Sequence, residues 1–320
     1  MNLNRNYLLP DYASYGNTGA ASLFPTNATI SDMAREQQGI VGYVHPFDFV
    51  PDPAADPSLT HGQPLDVALE LPVDVALGKV DYVEVVGFSD HKSTADVWYK
   101  LLNCGFHLPA GSGSDAMANY ASLRGPVGLN RVYASVPEGP LKIDSWLASL
   151  KAGRTFATNG PLVGFTLGGM TPGQELLLPA SRENVKFSAW LRSIVPVDHL
   201  QIVCNGEVAR DLKLSGDRES ADITDSIAIS RSGWCVLRSY SDKAEHPILD
   251  NYVYATTSPV YILVPGSASK TPDDAAYFVS WIDRLITYAQ DNKAWNTSGE
   301  KDAVLGLLNS ARNVYLRVRK

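Results

Sequence analysis

Candidate metal-binding side chains follow short apolar segments in the first part of this chain. His45 ends one such segment, and Asp115 ends a Gly/Ser-rich turn that follows another. Between them lie Glu84, inside a third apolar segment, and His91, shortly after it. In α/β proteins, functional side chains collect at the carboxyl ends of parallel strands. We therefore expect His45, His91 and Asp115 to meet in one cleft and to bind a metal ion.

Each of these three candidate ligands also has a structural interpretation. His45 precedes Pro46, which stiffens the exit from the strand, but a histidine at this position can equally be packed. Asp115 offers a hard oxygen donor beside glycines, although turns also use Asp for local hydrogen bonds. His91 is either a ligand or a solvated loop residue. The three strand ends taken together favour a metal site.

Glu84 is unusual because a charge within an apolar strand is costly unless it is paired or bound to a metal. It can pair with Arg124 or Arg131, or it can support catalysis. The Gly/Ser-rich turn at 111–115 has neither the serine elbow of a hydrolase nor the lysine of a phosphate-binding loop. Metal-assisted hydrolysis is therefore the chemistry that the sequence favours.

Composition restricts the partners. The chain has 320 residues, a formal net charge of −7 and no run of Lys or Arg, which argues against binding to nucleic acid or to an anionic membrane. A small-molecule substrate fits better. No apolar stretch approaches the roughly 20 residues that cross a bilayer, and the first residues are polar. We expect a cytoplasmic protein, unless a missing leader directs it to the periplasm or outside the cell.

The cysteines give little information about metal binding or disulfide formation. The chain has three, and they form no pattern typical of a zinc site. Cys204 and Cys235 lie in strand-like segments and could pair in an exported protein. Buried free thiols are the interpretation that we favour.

Strands alternate with helices up to about residue 158, and this predicts a parallel sheet or barrel. Only about four strand–helix units are present, half of a closed barrel. Short strands then follow at regular spacing, which is typical of an antiparallel sandwich, and the chain ends in helices. The predicted helices in the first part are 27–38, 93–104 and 142–152. The predicted domains are a partial barrel at 1–158, a β-sandwich-like domain at 159–266 and a helical segment at 267–320.

Several blocks of this sequence resemble one known family. They are His45-Pro46, Val83-Glu84-Val85, Trp98–Gly105, Gly113-Ser114-Asp115, Gly153–Pro161 and Thr257–Val260. Together they resemble the CehA/McbA branch of the PHP-domain metallohydrolases, over roughly residues 20 to 290. The resemblance implies a distorted (β/α)7 barrel with two or three metal ions, which are zinc, manganese or iron. It also implies hydrolysis of an ester, amide or phosphoester bond and a β-rich C-terminal domain.

The same resemblance assigns residues. His45 matches the family's His-Pro ligand, Asp115 matches a late aspartate ligand, and His91 lies near the position of another ligand. Glu84 matches a recurrent acid. The family's opening His-x-His pair is absent before His45, and Met117 stands where a late histidine is expected. The resemblance therefore implies the C-terminal part of such an enzyme.

The leading hypothesis is a metal-dependent hydrolase that is incomplete as written. Arg124, Arg154 and Asn159 are candidates for binding the substrate, and Glu84 for that role or for supporting the metal ligands. The alternative is a noncatalytic module in which the sandwich binds a carbohydrate or protein and the barrel remnant serves as scaffold.

Overall fold

The chain has a mixed α/β architecture with an extensive β-rich region. The structure, a computed structural model, describes residues 2–3, 24–54, 68–117, 119, 125–179, 183–267 and 271–318. The helices in these ranges are α1 (Asn27–Glu36), α2 (Leu71–Ala76), α3 (His91–Asn103), α4 (Ile143–Lys151), α5 (Pro272–Asp291) and α6 (Ser298–Val318). None of them has the length and apolar character needed to cross a membrane.

The strands of the described residues form three sheets, and none of these closes on itself. The first half of the chain contributes β1 (Asn2–Leu3), β2 (Ile40–Tyr43), β3 (Tyr82–Val86), β4 (Ala110–Ser112), β5 (Arg131–Ala134), β6 (Thr155–Thr158) and β7 (Leu162–Leu167). The second half contributes β8 (Glu175–Leu177), β9 (Glu183–Arg192), β10 (His199–Cys204), β11 (Glu207–Asp211), β12 (Ser220–Ile229), β13 (Gly233–Tyr240), β14 (Tyr254–Thr257) and β15 (Val260–Leu263).

The first sheet has the order β1-β2-β3-β4, in which β2, β3 and β4 run parallel. Helices α1 and α3 border its strands, as the sequence predicts; α1 begins at the predicted residue 27, and α3 begins two residues before the predicted residue 93. Thr26, rather than Asn27, caps α1, because its hydroxyl oxygen accepts the N–H of Thr29. Asp90 caps α3 by accepting the N–H of Ser93, so the helix begins at His91.

The parallel arrangement does not continue beyond β4, contrary to the prediction from the strand–helix alternation. Strand β5 pairs antiparallel with β6, and β6 pairs antiparallel with β14. The outer edge of β4 is covered by side chains instead of a strand: Ala110 N–H donates to Ser258 Oγ, and Ala110 C=O accepts from Thr155 Oγ1. Because these hydroxyl groups satisfy the edge, no further parallel strand is needed there. A PHP-type barrel is thus not formed by the described strands.

The β-rich region is a mostly antiparallel two-sheet arrangement, consistent with the predicted sandwich, although β8 and β15 pair in parallel. A large sheet has the order β11-β10-β13-β14-β6-β5, with β15 also paired to β13 and to β8. A second sheet has the order β12-β9-β7, and its inward side chains share an apolar core with β10, β13 and β14. A disulfide joins Cys204 to Cys235, so the expectation of free thiols at these positions was wrong. The two residues face each other directly on β10 and β13.

The C-terminal helices pack against the parallel-sheet unit. Trp281 on α5 donates to Leu69 C=O, and the Tyr315 hydroxyl on α6 donates to Pro72 C=O. Both side chains belong to one core cluster with α3 and β3. In α4, by contrast, Ile143 is 70% exposed.

Candidate functional site

His45 and Asp115 come together at the carboxyl end of the parallel sheet. His45 follows β2 and Asp115 follows β4, with β3 between these strands. The imidazole Nε2 lies 3.7 Å from the carboxylate Oδ2, and the two side chains are 24% and 31% exposed. A nitrogen and an oxygen donor are therefore paired in a place that solvent can reach.

Both residues adopt an unusual backbone conformation. The φ angles of His45 and Asp115 are 35° and 49°, in the left-handed region that non-glycine residues rarely occupy. Such conformations persist only where the surroundings hold them, and they are frequent at functional sites. The side chains of both strand ends are thus turned toward each other at a cost in backbone energy.

Glu84 supplies part of that support. Its carboxylate is only 3% exposed, and Oε2 accepts the backbone N–H of His45 at 2.6 Å. Burial raises the pKa of Glu84 to about 7, while the hydrogen bond from His45 lowers it. The carboxylate thus holds the turn that presents the imidazole. Arg131, which the sequence suggested as a partner of Glu84, donates instead to the Gly128 carbonyl oxygen.

Two glycines make room for this carboxylate. A Cβ atom on Gly87 would lie 2.3 Å from Glu84 Oε2, and one on Gly113 would lie 2.4 Å from Oε1. Gly111, within β4, leaves space for the ring of Tyr82. Gly111 and Gly113, which precede Asp115, therefore accommodate buried side chains of β3.

Asn130 is a buried polar residue of this region that no sequence pattern indicates. Its backbone N–H donates to Ser114 Oγ at 3.0 Å, and its side-chain Nδ2 donates to the Gly113 carbonyl at 3.4 Å. The side-chain Oδ1 is buried and has no hydrogen-bond partner among the described residues. Asn130 lies before β5 with no local motif, so only the pairing of distant segments identifies it.

His91 and Asn159 belong to a different network. His91 is 1% exposed, and its Nε2 lies 3.0 Å from Asp250 Oδ2, between the rings of Tyr252 and Tyr254. Asn159 Nδ2 donates to the same Asp250 oxygen at 2.9 Å. The position of His91 in the first turn of α3 turns its ring toward the β-rich region. Both residues connect the two parts of the molecule.

The remaining candidates are arginines. Arg154 is exposed beyond the end of α4, where its Nη2 donates to Ser149 Oγ at 3.0 Å. Arg124 lies outside the described residues. Among the described contacts, none joins Arg154 to His45 or Asp115.

The donor set is small for a metal centre. Among the described residues, no group of three or more His, Cys, Asp or Glu side chains could hold an ion. The pair itself has suitable chemistry, because zinc takes imidazole nitrogen and carboxylate oxygen at ~2.0–2.2 Å. Tetrahedral geometry with such bonds separates two donor atoms by about 3.4 Å, close to the 3.7 Å between His45 and Asp115. The residues present therefore fit two positions of a coordination shell.

Comparison of the chain with protein-family models, with curated proteins and with solved structures finds no match.

Proposed function

We propose that this chain is part of a metal-dependent hydrolase related to the CehA/McbA branch of the PHP-domain metallohydrolases. The observation that carries the proposal is the 3.7 Å approach of His45 Nε2 to Asp115 Oδ2 at the ends of parallel strands. The sequence indicates both residues as ligands because each follows an apolar segment. The mixed nitrogen and oxygen donors suit zinc, manganese or iron(II).

In this proposal His45 and Asp115 hold the ion. When bound there, a divalent ion would supply Lewis-acid chemistry: it would polarise a substrate oxygen and lower the pKa of a water molecule that attacks an ester, amide or phosphoester bond. Glu84 keeps the His45 backbone in place through its 2.6 Å hydrogen bond. Asn130 supports the segment before Asp115, because its N–H donates to Ser114 Oγ and its Nδ2 donates to the Gly113 carbonyl oxygen.

Catalytic zinc sites usually have three protein ligands and a water. The proposal therefore requires at least one ligand in addition to His45 and Asp115, from residues outside the described ranges. His91 is withdrawn from the proposed set because its ring is buried against Asp250.

The cystine between Cys204 and Cys235 also affects the proposed compartment. Disulfides persist mainly in oxidising environments such as the periplasm or the extracellular space. We therefore favour an exported protein over the cytoplasmic location expected from the sequence.

The test is a comparison of matched alanine variants. Hydrolysis of p-nitrophenyl acetate and bis-p-nitrophenyl phosphate is measured with added zinc, manganese or iron(II), and bound metal is determined by elemental analysis. We expect His45→Ala and Asp115→Ala each to lose metal and at least about 99% of the activity, because each removes a ligand. Circular dichroism should show that both variants remain folded.

The control uses a second histidine–aspartate pair. His199 Nε2 lies 3.0 Å from Asp242 Oδ2 in the β-rich region, and the His199 side chain is 30% exposed. His199→Ala and Asp242→Ala should keep both metal and activity. Metal-dependent hydrolysis that survives in His45→Ala and Asp115→Ala contradicts the proposal. A chain that neither binds metal nor hydrolyses these esters supports the noncatalytic module instead.

A further inference from the structure

A cleft of about 500 Å³ opens beside β5, at the border between the two parts of the molecule. Its walls come from chain segments at 126–133, 159–162, 192–194 and 247–249. Pockets of this size accommodate small organic molecules. The cleft differs from the His45–Asp115 pair, since neither of those residues lines it.

The rim of the cleft is apolar and exposed. Val127, Ile194 and Leu249 are 76%, 69% and 60% exposed, and each comes from a different segment of the chain. Exposed aliphatic side chains are unremarkable singly, but their convergence on one concave surface is typical of a ligand site. They offer a contact surface for the hydrocarbon part of a ligand.

The charged groups in the lining are both arginines, Arg131 and Arg192, and no carboxylate lines the cleft within the described residues. Arg192 is already neutralised, because its Nη2 donates to both oxygens of Asp222 at 2.9 and 2.8 Å. Arg131 is different. Its described hydrogen bond runs from Nη1 to the Gly128 carbonyl oxygen, and its buried Nε has no hydrogen-bond partner within the described part of the chain.

A guanidinium group carries five N–H donors and recognises carboxylates with particular strength. Arg131 thus keeps donors and a positive charge without a described counterion. This combination of an apolar rim and a cation with unused donors is complementary to a molecule with a hydrocarbon body and an acidic end.

We infer that this cleft binds a small organic carboxylate, with its hydrocarbon part against Val127, Ile194 and Leu249 and its carboxylate on Arg131. The site does not require the proposed metal centre. The two sites are nevertheless connected through neighbouring residues. Asn130 precedes Arg131, and the Asn130 N–H donates to Ser114 Oγ, next to Asp115.

Calorimetric titration with phenylbutyrate and with its uncharged amide, phenylbutyramide, tests the role of Arg131. The wild-type protein should bind the acid more tightly than the amide. Arg131→Gln should weaken acid binding about tenfold or more, because a charge-assisted hydrogen bond is lost, and should change amide binding by less than about threefold. Arg131→Lys restores the charge and should recover part of the preference for the acid.

A double variant and a control variant test the apolar rim. Val127→Ser/Ile194→Ser should weaken the acid and the amide alike, by about tenfold, because both ligands lose apolar contact. Leu141→Ser is the control, since Leu141 is 74% exposed and lies outside the cleft. Circular dichroism checks the fold of each variant. No measurable binding at millimolar concentration, equal affinity for acid and amide, or rim variants that bind as the wild type would overturn the inference.

Discussion

At the scale of single residues, the geometry around Glu84 gives the clearest structural result. The carboxylate is buried, accepts the N–H of His45, and is flanked by Gly87 and Gly113. The Glu84 carboxylate on β3 occupies the space that a side chain at Gly87 or Gly113 would need. The positive φ of His45 depends on the same contact, because Glu84 holds the backbone of that turn.

Gly113→Ala tests this arrangement. The new Cβ would lie 2.4 Å from Glu84 Oε1, so the carboxylate must shift, and we expect a loss of about 1–3 kcal/mol in the free energy of unfolding. The loss should be smaller when Glu84→Ala is already present, because the clash is then removed. Urea unfolding of the single and double variants measures both effects.

A control glycine lies on α6. A Cβ on Gly306 would meet nothing within 4 Å, so Gly306→Ala should stabilise the protein by up to about 1 kcal/mol through helix propensity. If Gly113→Ala costs the same with and without Glu84, the glycine does not serve the carboxylate.

At this scale the sequence indicates His45 and Asp115, since each ends an apolar segment beside a Pro or Gly signal. It does not indicate Asn130 or the contacts of Glu84 with His45, Gly87 and Gly113. Those contacts depend on the register between segments that are far apart in the chain, and apolar periodicity within a segment carries no information about register with another.

At the scale of elements, α2 docks on β2 through a buried acid. Asp74 is 0% exposed, its Oδ2 accepts the Tyr43 hydroxyl at 2.5 Å, and its Oδ1 has no partner among the described residues. Burial raises the pKa of Asp74 to about 7, and Asp32 contributes in the same direction, while Tyr43 and Lys79 lower the pKa. The helix thus keeps a carboxyl group that is protonated more readily than in the unfolded chain.

This shift predicts how stability depends on pH. Between about pH 4, where an unfolded aspartate loses its proton, and about pH 7, the folded chain holds more protons than the unfolded chain. Stability contributed by Asp74 therefore falls as the pH rises through this window. Asp74→Asn keeps an acceptor for Tyr43 but removes the charge. It should raise the free energy of unfolding at pH 8 by on the order of 2 kcal/mol, with little effect at pH 4.

The measurement is urea unfolding at pH 4, 6 and 8. Glu70, which precedes this helix, also has a pKa raised to about 8 by burial and by the Asp74 charge, so Asp74→Asn removes both the titration of Asp74 and its effect on Glu70. Asp302→Asn, an exposed position on α6, should leave the pH dependence as it is. An Asp74→Asn variant with the wild-type pH profile would disprove the assignment.

The elements themselves were largely predictable, but their pairing was not. Apolar stripes and end signals locate α1, α3 and α4 to within about two residues, since a helix is stabilised by contacts local in sequence. Strand β5 has an alternating pattern that fits a parallel or an antiparallel neighbour equally well. Its antiparallel pairing with β6 follows from tertiary contacts, among them the hydroxyls of Thr155 and Ser258 that cover the edge of β4.

At the scale of the whole molecule, β13 connects the two apolar cores. Trp234 and Val236 belong to the core of the parallel-sheet unit, whereas Cys235 and Leu237 belong to the sandwich core. Alternate residues of one strand thus face two different layers. His91, Asp250 and the residues around them add polar contacts between the same parts. We therefore expect the two parts to unfold together, which no pattern within either part could indicate.

The disulfide provides the test of this cooperativity, because it cross-links β10 to β13 across 31 residues of sequence. Cys204→Ser/Cys235→Ser should lower the free energy of unfolding by about 2–4 kcal/mol, since the unfolded chain regains conformational freedom. Tryptophan fluorescence and far-ultraviolet circular dichroism should report one shared midpoint in urea, before and after the change. Wild-type protein with dithiothreitol should behave as the double variant does. Separate midpoints for the two signals would mean that β13 does not couple the cores, and an unshifted midpoint would mean that the cross-link does not constrain the unfolded chain.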